Sequence, residues 1–158
     1  MSRSDPAISV IVSTRNRAHY LPEVLRTLAA QECRAPFEVI IIDNGSTDGT
    51  SALLEEWCRR DTRFRTAREP LAGLSRGKNA GVRLARAPLL VFTDDDMRVD
   101  PHWLESYRSL FSEHEGALLV AGGLVVPIAH DLGAWPEWLD DAALVDVGLL
   151  NHHDHRAL

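Results

Sequence analysis

Short apolar runs rich in β-branched residues alternate along this chain with stretches of helical period, and that order constrains its fold more than any other feature. Parallel neighbours in a sheet need a crossover of a dozen or more residues, usually a helix, so the alternation predicts an α/β domain with a mostly parallel sheet. Ala7 to Ser13 reads as the first strand, and the loop Thr14-Arg15-Asn16-Arg17 feeds a helix from about Ala18 to Gln31. Leu21, Val24, Leu25 and Leu28 fall on one stripe of that helix. Phe37 to Ile42 reads as a strand that is apolar on both faces, as expected where helices cover both sides. The turn-rich segment Asp43 to Thr50 opens a helix carrying Leu53, Leu54 and Trp57. Phe64 to Ala67 is a short strand, Ser75 to Ala85 a helix and Ala87 to Thr93 a strand. Pro101 then starts a helix holding Trp103, Leu104, Tyr107, Leu110 and Phe111, and Ala117 to Val126 reads as a further strand.

With 158 residues, 45% of them apolar, and no linker or repeat, residues 1–158 read as one domain able to bury roughly two thirds of the unfolded surface. A net charge of −6 with scattered Lys and Arg leaves no electrostatic footprint for nucleic acid. The polar start Met1 to Pro6 leads into an apolar run too short for a signal peptide or a membrane span. The cytoplasm is the expected compartment, with association at a membrane surface left open. Cys33 and Cys58 are too few and too far apart for a disulfide framework or a metal knuckle, and read as reduced, partly buried thiols.

Asp94-Asp95-Asp96 ends the apolar run 87–93, where a buried strand should emerge into solvent. In extended chain Asp94 and Asp96 share a face roughly 6.5 Å apart and Asp95 points the other way. At an effective dielectric of about 20 the pair repels by about 2.5 kcal/mol, which a divalent cation between them would turn into attraction. Oxygen-only ligands that leave room for water and phosphate oxygens suit Mg²⁺ or Mn²⁺. The competing reading is a polar turn capping the next helix, but one cap needs one side-chain oxygen and Asp100-Pro101 already supplies that pattern.

Asp43 follows the second strand as the acidic run follows the fourth, so both lie beyond carboxyl strand ends, where open α/β sheets bind ligands. An acid there can hold a base edge or a ribose hydroxyl, and Asp-Asn-Gly-Ser is equally good turn chemistry. Neither a Gly-x-Gly-x-x-Gly after the first strand nor a phosphate loop is present, so phosphates would have to be held by metal and basic side chains. Arg15, Arg76 and Lys78 are the candidates; the last two open a helix, where the macrodipole disfavours cations unless an anion is near. Asn79 reads as a residue that fastens this helix to its neighbours.

Four segments, Val10-Ile11-Val12-Ser13-Thr14-Arg15-Asn16-Arg17, Ile41-Ile42-Asp43-Asn44-Gly45-Ser46-Thr47-Asp48-Gly49-Thr50, Gly73-Leu74-Ser75-Arg76-Gly77-Lys78-Asn79-Ala80-Gly81 and Phe92-Thr93-Asp94-Asp95-Asp96, in this order and spacing, resemble the family 2 glycosyltransferases with the GT-A fold. Ala121-Gly122-Gly123 and Trp135 to Leu139 look similar to rhamnosyltransferase-like members. The resemblance implies a nucleotide-diphospho-sugar donor across the carboxyl edge of the sheet, transfer of the sugar to an acceptor hydroxyl, inversion at the anomeric carbon and a place in polysaccharide biosynthesis. It implies that Asp43 contacts the nucleoside base, with Thr14 and Arg15 beside it and Lys78 near the nucleotide. Asp94 would touch the ribose or a metal-bound water, and Asp96 would bind Mg²⁺ or Mn²⁺ bridging the phosphates.

The family's general base and acceptor-binding elements lie downstream of this pair, so the chain reads as a GT-A domain cut short on its C-terminal side, with the acceptor unknown. Asp131, Glu137, Asp140 and Asp141 stand in no context that marks a base, and Asn151 to His155 reads as a solvated tail. Trp135 and Trp138 read as core or as an acceptor platform. Two other classes stay in view. One is a non-catalytic nucleotide-sugar-binding module, and the other is a metal-dependent phosphohydrolase or isoprenoid enzyme, against which the spacing of the aspartates speaks.

Overall fold

The structure, a computed structural model, describes residues 5–113, which lie within the unit Met1–Gly116. Four strands, β1 (Ile8–Thr14), β2 (Phe37–Asp43), β3 (Phe64–Arg68) and β4 (Leu89–Phe92), form a wholly parallel sheet in the order β3-β2-β1-β4. Helices α1 (Leu21–Ala29), α2 (Thr50–Arg60) and α3 (Leu74–Leu84) make the crossovers, and α4 (Trp103–Glu113) follows β4. The predicted strand 117–126, the Trp135 segment, Asp131, Glu137, Asp140, Asp141 and the histidine-rich tail lie outside the described residues.

Every residue of β1 and β2 is buried, as central strands covered on both faces must be. Alternate residues sort to the two faces. Ile8, Val10, Val12, Phe37, Val39 and Ile41 join Leu21, Val24, Leu25, Leu28, Leu54 and Leu104 in one core on the side of α1, α2 and α4. Ile11 and Ser13 face α3 on the other side. Right-handed crossovers from β1 to β2 to β3 keep α1 and α2 on one face, and the return from β3 to β4 across β1 puts α3 on the opposite face. The chain therefore reverses its direction of winding between β1 and β4, the place where such sheets open a crevice at their carboxyl ends.

The second strand is not apolar throughout. Glu38 is 2% exposed, with Ser9 and Arg86 donating to its Oε1 and Arg65 and Arg86 to its Oε2. Burial pushes this carboxyl upward, but those donors outweigh it and hold the group at about 2, below the ordinary 4.5. The helix expected from Pro101 begins at Trp103, because Asp100 turns the chain first, its Oδ1 accepting the His102 N–H at 2.8 Å. Buried Gln31 then joins α1 to α4, donating to the Asp100 carbonyl at 2.6 Å and accepting the Leu104 N–H at 3.0 Å. Cys33 and Cys58 are free and half-buried, and burial raises both thiols. Among the described residues no helix is long and apolar enough to cross a membrane.

Candidate functional site

β1 and β2 end in register, Thr14 beside Asp43, and the loops that follow them are buttoned together. The Asn16 N–H donates to Ser46 Oγ at 2.9 Å, Arg17 N–H to Thr50 Oγ1 at 3.0 Å and Ala18 N–H to Asp48 Oδ2 at 3.3 Å. Asn16, in the left-handed region at φ 54°, returns the bond by accepting the Thr47 N–H at 2.8 Å. Asp43, Ser46, Asp48 and Thr50 each serve an amide of the first loop or of their own turn, which is why oxygen-bearing residues suit those positions. Asp43 belongs to this frame: it is 3% exposed and accepts the Ser46 N–H at 2.8 Å and the Ser51 hydroxyl. Burial pushes its carboxyl up, but the Ser46 and Ser51 donors outweigh that and hold it below its ordinary value. These are the contacts of a turn residue, and its neighbour Asn44 lines the cavity beyond the strands.

α3 is fastened by glycines and not by Asn79, which is exposed. A Cβ on Gly77 would fall inside contact distance of Ser13 Oγ and 2.9 Å from its Cβ, and one on Gly81 would press on Ile11. The helix therefore lies directly on β1 and delivers its first turn to the carboxyl edge. Lys78, next to Gly77, places Nζ 3.2 Å from Asp94 Oδ1. Arg76 points to solvent and, among the described residues, has no ion-pair partner.

β4 stops at Phe92, so strict alternation does not carry through the acidic run, and Asp95-Asp96 form a turn. Asp94 and Asp96 are half-exposed, and Asp95, expected to point away, is nearly buried and lines the same cavity as its neighbours. That cavity of about 450 Å³ spans the crevice from Ser13, Thr14 and Asn44 on one side to the three aspartates on the other, with Arg15 and Arg17 at its edge. Arg17, not singled out from the sequence, places Nε 3.8 Å from Asp95 Oδ1 and Nη2 4.0 Å from Asp96 Oδ2, with its guanidinium 5.2 Å from the Tyr20 ring centroid. The signal for it was available: a cation directly after the αL residue of a loop at the same sheet edge as the acids.

Three described side chains bury a polar atom without a hydrogen-bond partner, Trp57 Nε1, Thr14 Oγ1 and Asn44 Oδ1, and two of the three line this cavity. Leaving such an atom unsatisfied costs about 1–3 kcal/mol, so the pair marks where a polar ligand would be rewarded. A larger cavity of about 510 Å³ opens at the amino edge beside Phe37, Arg63 and Arg86. Its buried acid, Glu38, is already saturated by protein donors, so size alone does not make it the better site. The exposed oxygens of Asp94 and Asp96 fit a hard divalent cation that keeps water and phosphate oxygens in its shell. Among the described residues no group of three or more His, Cys, Asp or Glu is placed to hold a metal ion.

Comparison with known proteins bears on the fold and the family. A putative glycosyltransferase, EpsH, of Bacillus subtilis is 31% identical over 100 residues, 63% of this chain and 29% of that protein. Validoxylamine A glucosyltransferase of Streptomyces hygroscopicus subsp. jinggangensis is 34% identical over 119 residues, 74% of this chain and 28% of that protein. The solved structure of S. aureus TarS 1–349 in complex with UDP superposes with a TM-score of 0.62 at 28% identity, over 68% of this chain and 32% of that one. The mannosyltransferase PcManGT from Pyrobaculum calidifontis, in complex with GDP-Man and Mn²⁺, gives 0.52 at 30% identity, over 58% and 28%. The chain thus spans less than a third of the length of each of these relatives. Its parallel sheet is that of the GT-A fold, and with residues 9–140 matching Glycosyl transferase family 2, the chain belongs to that family.

Proposed function

We propose that the crevice between β1 and β4 holds the nucleoside diphosphate of a sugar donor, and that this chain is the donor-binding part of a glycosyltransferase moving the sugar to an acceptor hydroxyl. The observation that carries the reading is the pair of buried, unsatisfied atoms, Thr14 Oγ1 and Asn44 Oδ1, on residues that line one crevice with three carboxylates and two cations. The ligands held by two structural neighbours, UDP and GDP-Man with Mn²⁺, support it.

In this reading Thr14, Arg15 and Asp43 take the nucleoside end. Asp43 contributes the lone pairs that Ser46 and Ser51 leave free, on a carboxylate those residues keep ionised and oriented. Lys78, at the start of α3 with Asp94 beside it, takes the diphosphate side, and Arg76, exposed on the same turn, would swing in to join it. Asp94 and Asp96 would hold Mg²⁺ or Mn²⁺, which when bound stabilises charge on the departing diphosphate as a Lewis acid. Lys78 adds a fixed positive charge on the same side, worth most where it develops against the leaving group. The unpaired Cys33 and Cys58 suit a reducing compartment, the cytoplasm.

A thermal-shift screen of nucleoside diphosphates and their sugars, with and without Mn²⁺, tests the donor site, since a true ligand raises the melting temperature by mass action. A rise for at least one nucleoside diphosphate that grows with Mn²⁺ is expected, and no rise for any of them contradicts the reading. Adding a panel of glycan, lipid and protein acceptors separates transfer from binding alone, the outcome of a non-catalytic module.

A further inference from the structure

We infer that Arg17 is a built-in counter-ion for Asp95 and Asp96 that a divalent cation displaces, and that the freed guanidinium then serves the diphosphate; the inference rests on the donor-site reading above. Three observations meet on this residue. Its nitrogens stand 3.8 Å from Asp95 and 4.0 Å from Asp96, within ion-pair range but beyond hydrogen-bond length, whereas Lys78 holds Asp94 at 3.2 Å. Loose, partly exposed pairs of this kind hold weakly, so of the three acids Asp96 is the one released at least cost.

The Arg17 main chain is fixed by its N–H bond to Thr50 Oγ1, so the side chain can swing without disturbing the loop. In the same placement the guanidinium stands 5.2 Å from the centroid of the Tyr20 ring, which is 53% exposed, a contact it can keep when the acids release it. Independently, Thr14 Oγ1 and Asn44 Oδ1, buried and without a partner, belong to residues that line the same cavity.

A divalent ion on Asp96 weakens the hold of that carboxylate on a guanidinium already 4.0 Å away, so the two compete for it. Once displaced, Arg17 stands beside a crevice that has gained two positive charges and can take a diphosphate, and its planar fork matches phosphate oxygens. Arg17 should therefore couple negatively to the metal alone and positively to the nucleoside diphosphate.

Mn²⁺ titrations of the full chain, followed by the electron paramagnetic resonance of the free ion, test this with Arg17→Gln and Asp96→Asn. Arg17→Gln is expected to bind Mn²⁺ alone about fivefold more tightly than the wild type, and UDP at saturating Mn²⁺ about tenfold more weakly, couplings at the low end of those seen between linked sites. In the unaltered chain, Mg²⁺ should move the Arg17 Nε–Hε resonance, and Asp96→Asn should abolish that response. Equal or weaker Mn²⁺ binding by Arg17→Gln, or an unmoved resonance, overturns the counter-ion role, and unchanged UDP affinity overturns the phosphate role. If Mn²⁺ uptake by the wild type depends on Asp96 while Arg17→Gln gains nothing, the Arg17 inference alone falls. If the wild type takes up neither Mn²⁺ nor UDP, the donor-site reading falls and carries this inference with it.

Discussion

The two ends of the sheet both carry acids among arginines, and they use them in opposite ways. At the amino edge Glu38 is buried and every one of its close donors comes from the protein: Ser9, Arg65 and Arg86 tie β1, β2, β3 and the approach to β4 into one knot. At the carboxyl edge, among the described residues, Asp94, Asp95 and Asp96 are met by two cations, two of the three ion pairs are long, and two buried polar atoms have no hydrogen-bond partner. An ionic cluster that is complete within the fold serves stability, while one left incomplete beside a crevice serves a ligand. Charge content does not separate the two edges; saturation does.

Substitution at the amino edge should register as stability. Glu38→Ala removes a buried acceptor from Ser9, Arg65 and Arg86, whose guanidinium groups stay partly solvated, and should cost about 1–3 kcal/mol in urea unfolding. A loss below about 1 kcal/mol would erase the contrast between the edges. The same group predicts an acid transition. Because its folded value, about 2, lies below the ordinary 4.5, the unfolded chain binds its proton first, so its contribution is full above pH 4.5 and is lost as pH falls from 4.5 toward 2. That shift corresponds to about 3 kcal/mol, and Glu38→Gln should flatten the stability profile across this window.

The glycine contacts of α3 sharpen the comparison, since they lie between the edges. Gly77→Ala forces the helix away from Ser13 and should cost about 1–3 kcal/mol while also weakening UDP binding, because Lys78 moves with it. Full stability and full binding in that variant would contradict the close approach of α3 to β1.

At the carboxyl edge the signature should invert. Asp96→Ala should abolish the Mn²⁺-dependent part of UDP binding, at least tenfold or about 1.4 kcal/mol, yet change stability by less than about 0.5 kcal/mol, as for other exposed positions. Equal UDP affinity with and without the side chain, by calorimetry in Mn²⁺, would remove Asp96 from the site. Asp43→Ala should sit between the two patterns: weaker UDP binding even without metal, and about 1 kcal/mol of stability lost with the Ser46 and Ser51 bonds.

Much of this architecture is legible in the sequence because it is periodic. The α1 stripe of Leu21, Val24, Leu25 and Leu28 is buried as its spacing requires, and the strand-helix alternation yields a parallel sheet. Element ends are less legible where a local hydrogen bond competes with the pattern, as where Asp100 delays α4 from Pro101 to Trp103. Glu38 was hidden inside an apolar strand because its partner Arg86 is 48 residues away, and no local pattern announces a long-range ion pair.

The acidic run was legible as a site candidate, but not the direction of Asp95, since the end of β4 after Phe92 breaks the alternation on which that expectation rested. Gly77 and Gly81, four apart on α3, were visible as spacing, yet their meaning depends on Ser13 and Ile11 in a different element.

A crystal structure with Mn²⁺ and UDP tests the central claim most directly, read through the anomalous signal of the metal. The account predicts a Mn²⁺ peak at bonding distance, about 2.1 Å, from an Asp96 carboxylate oxygen, with the diphosphate in the crevice between β1 and β4. UDP bound at the amino edge, or a metal bound away from Asp94 and Asp96, would contradict it.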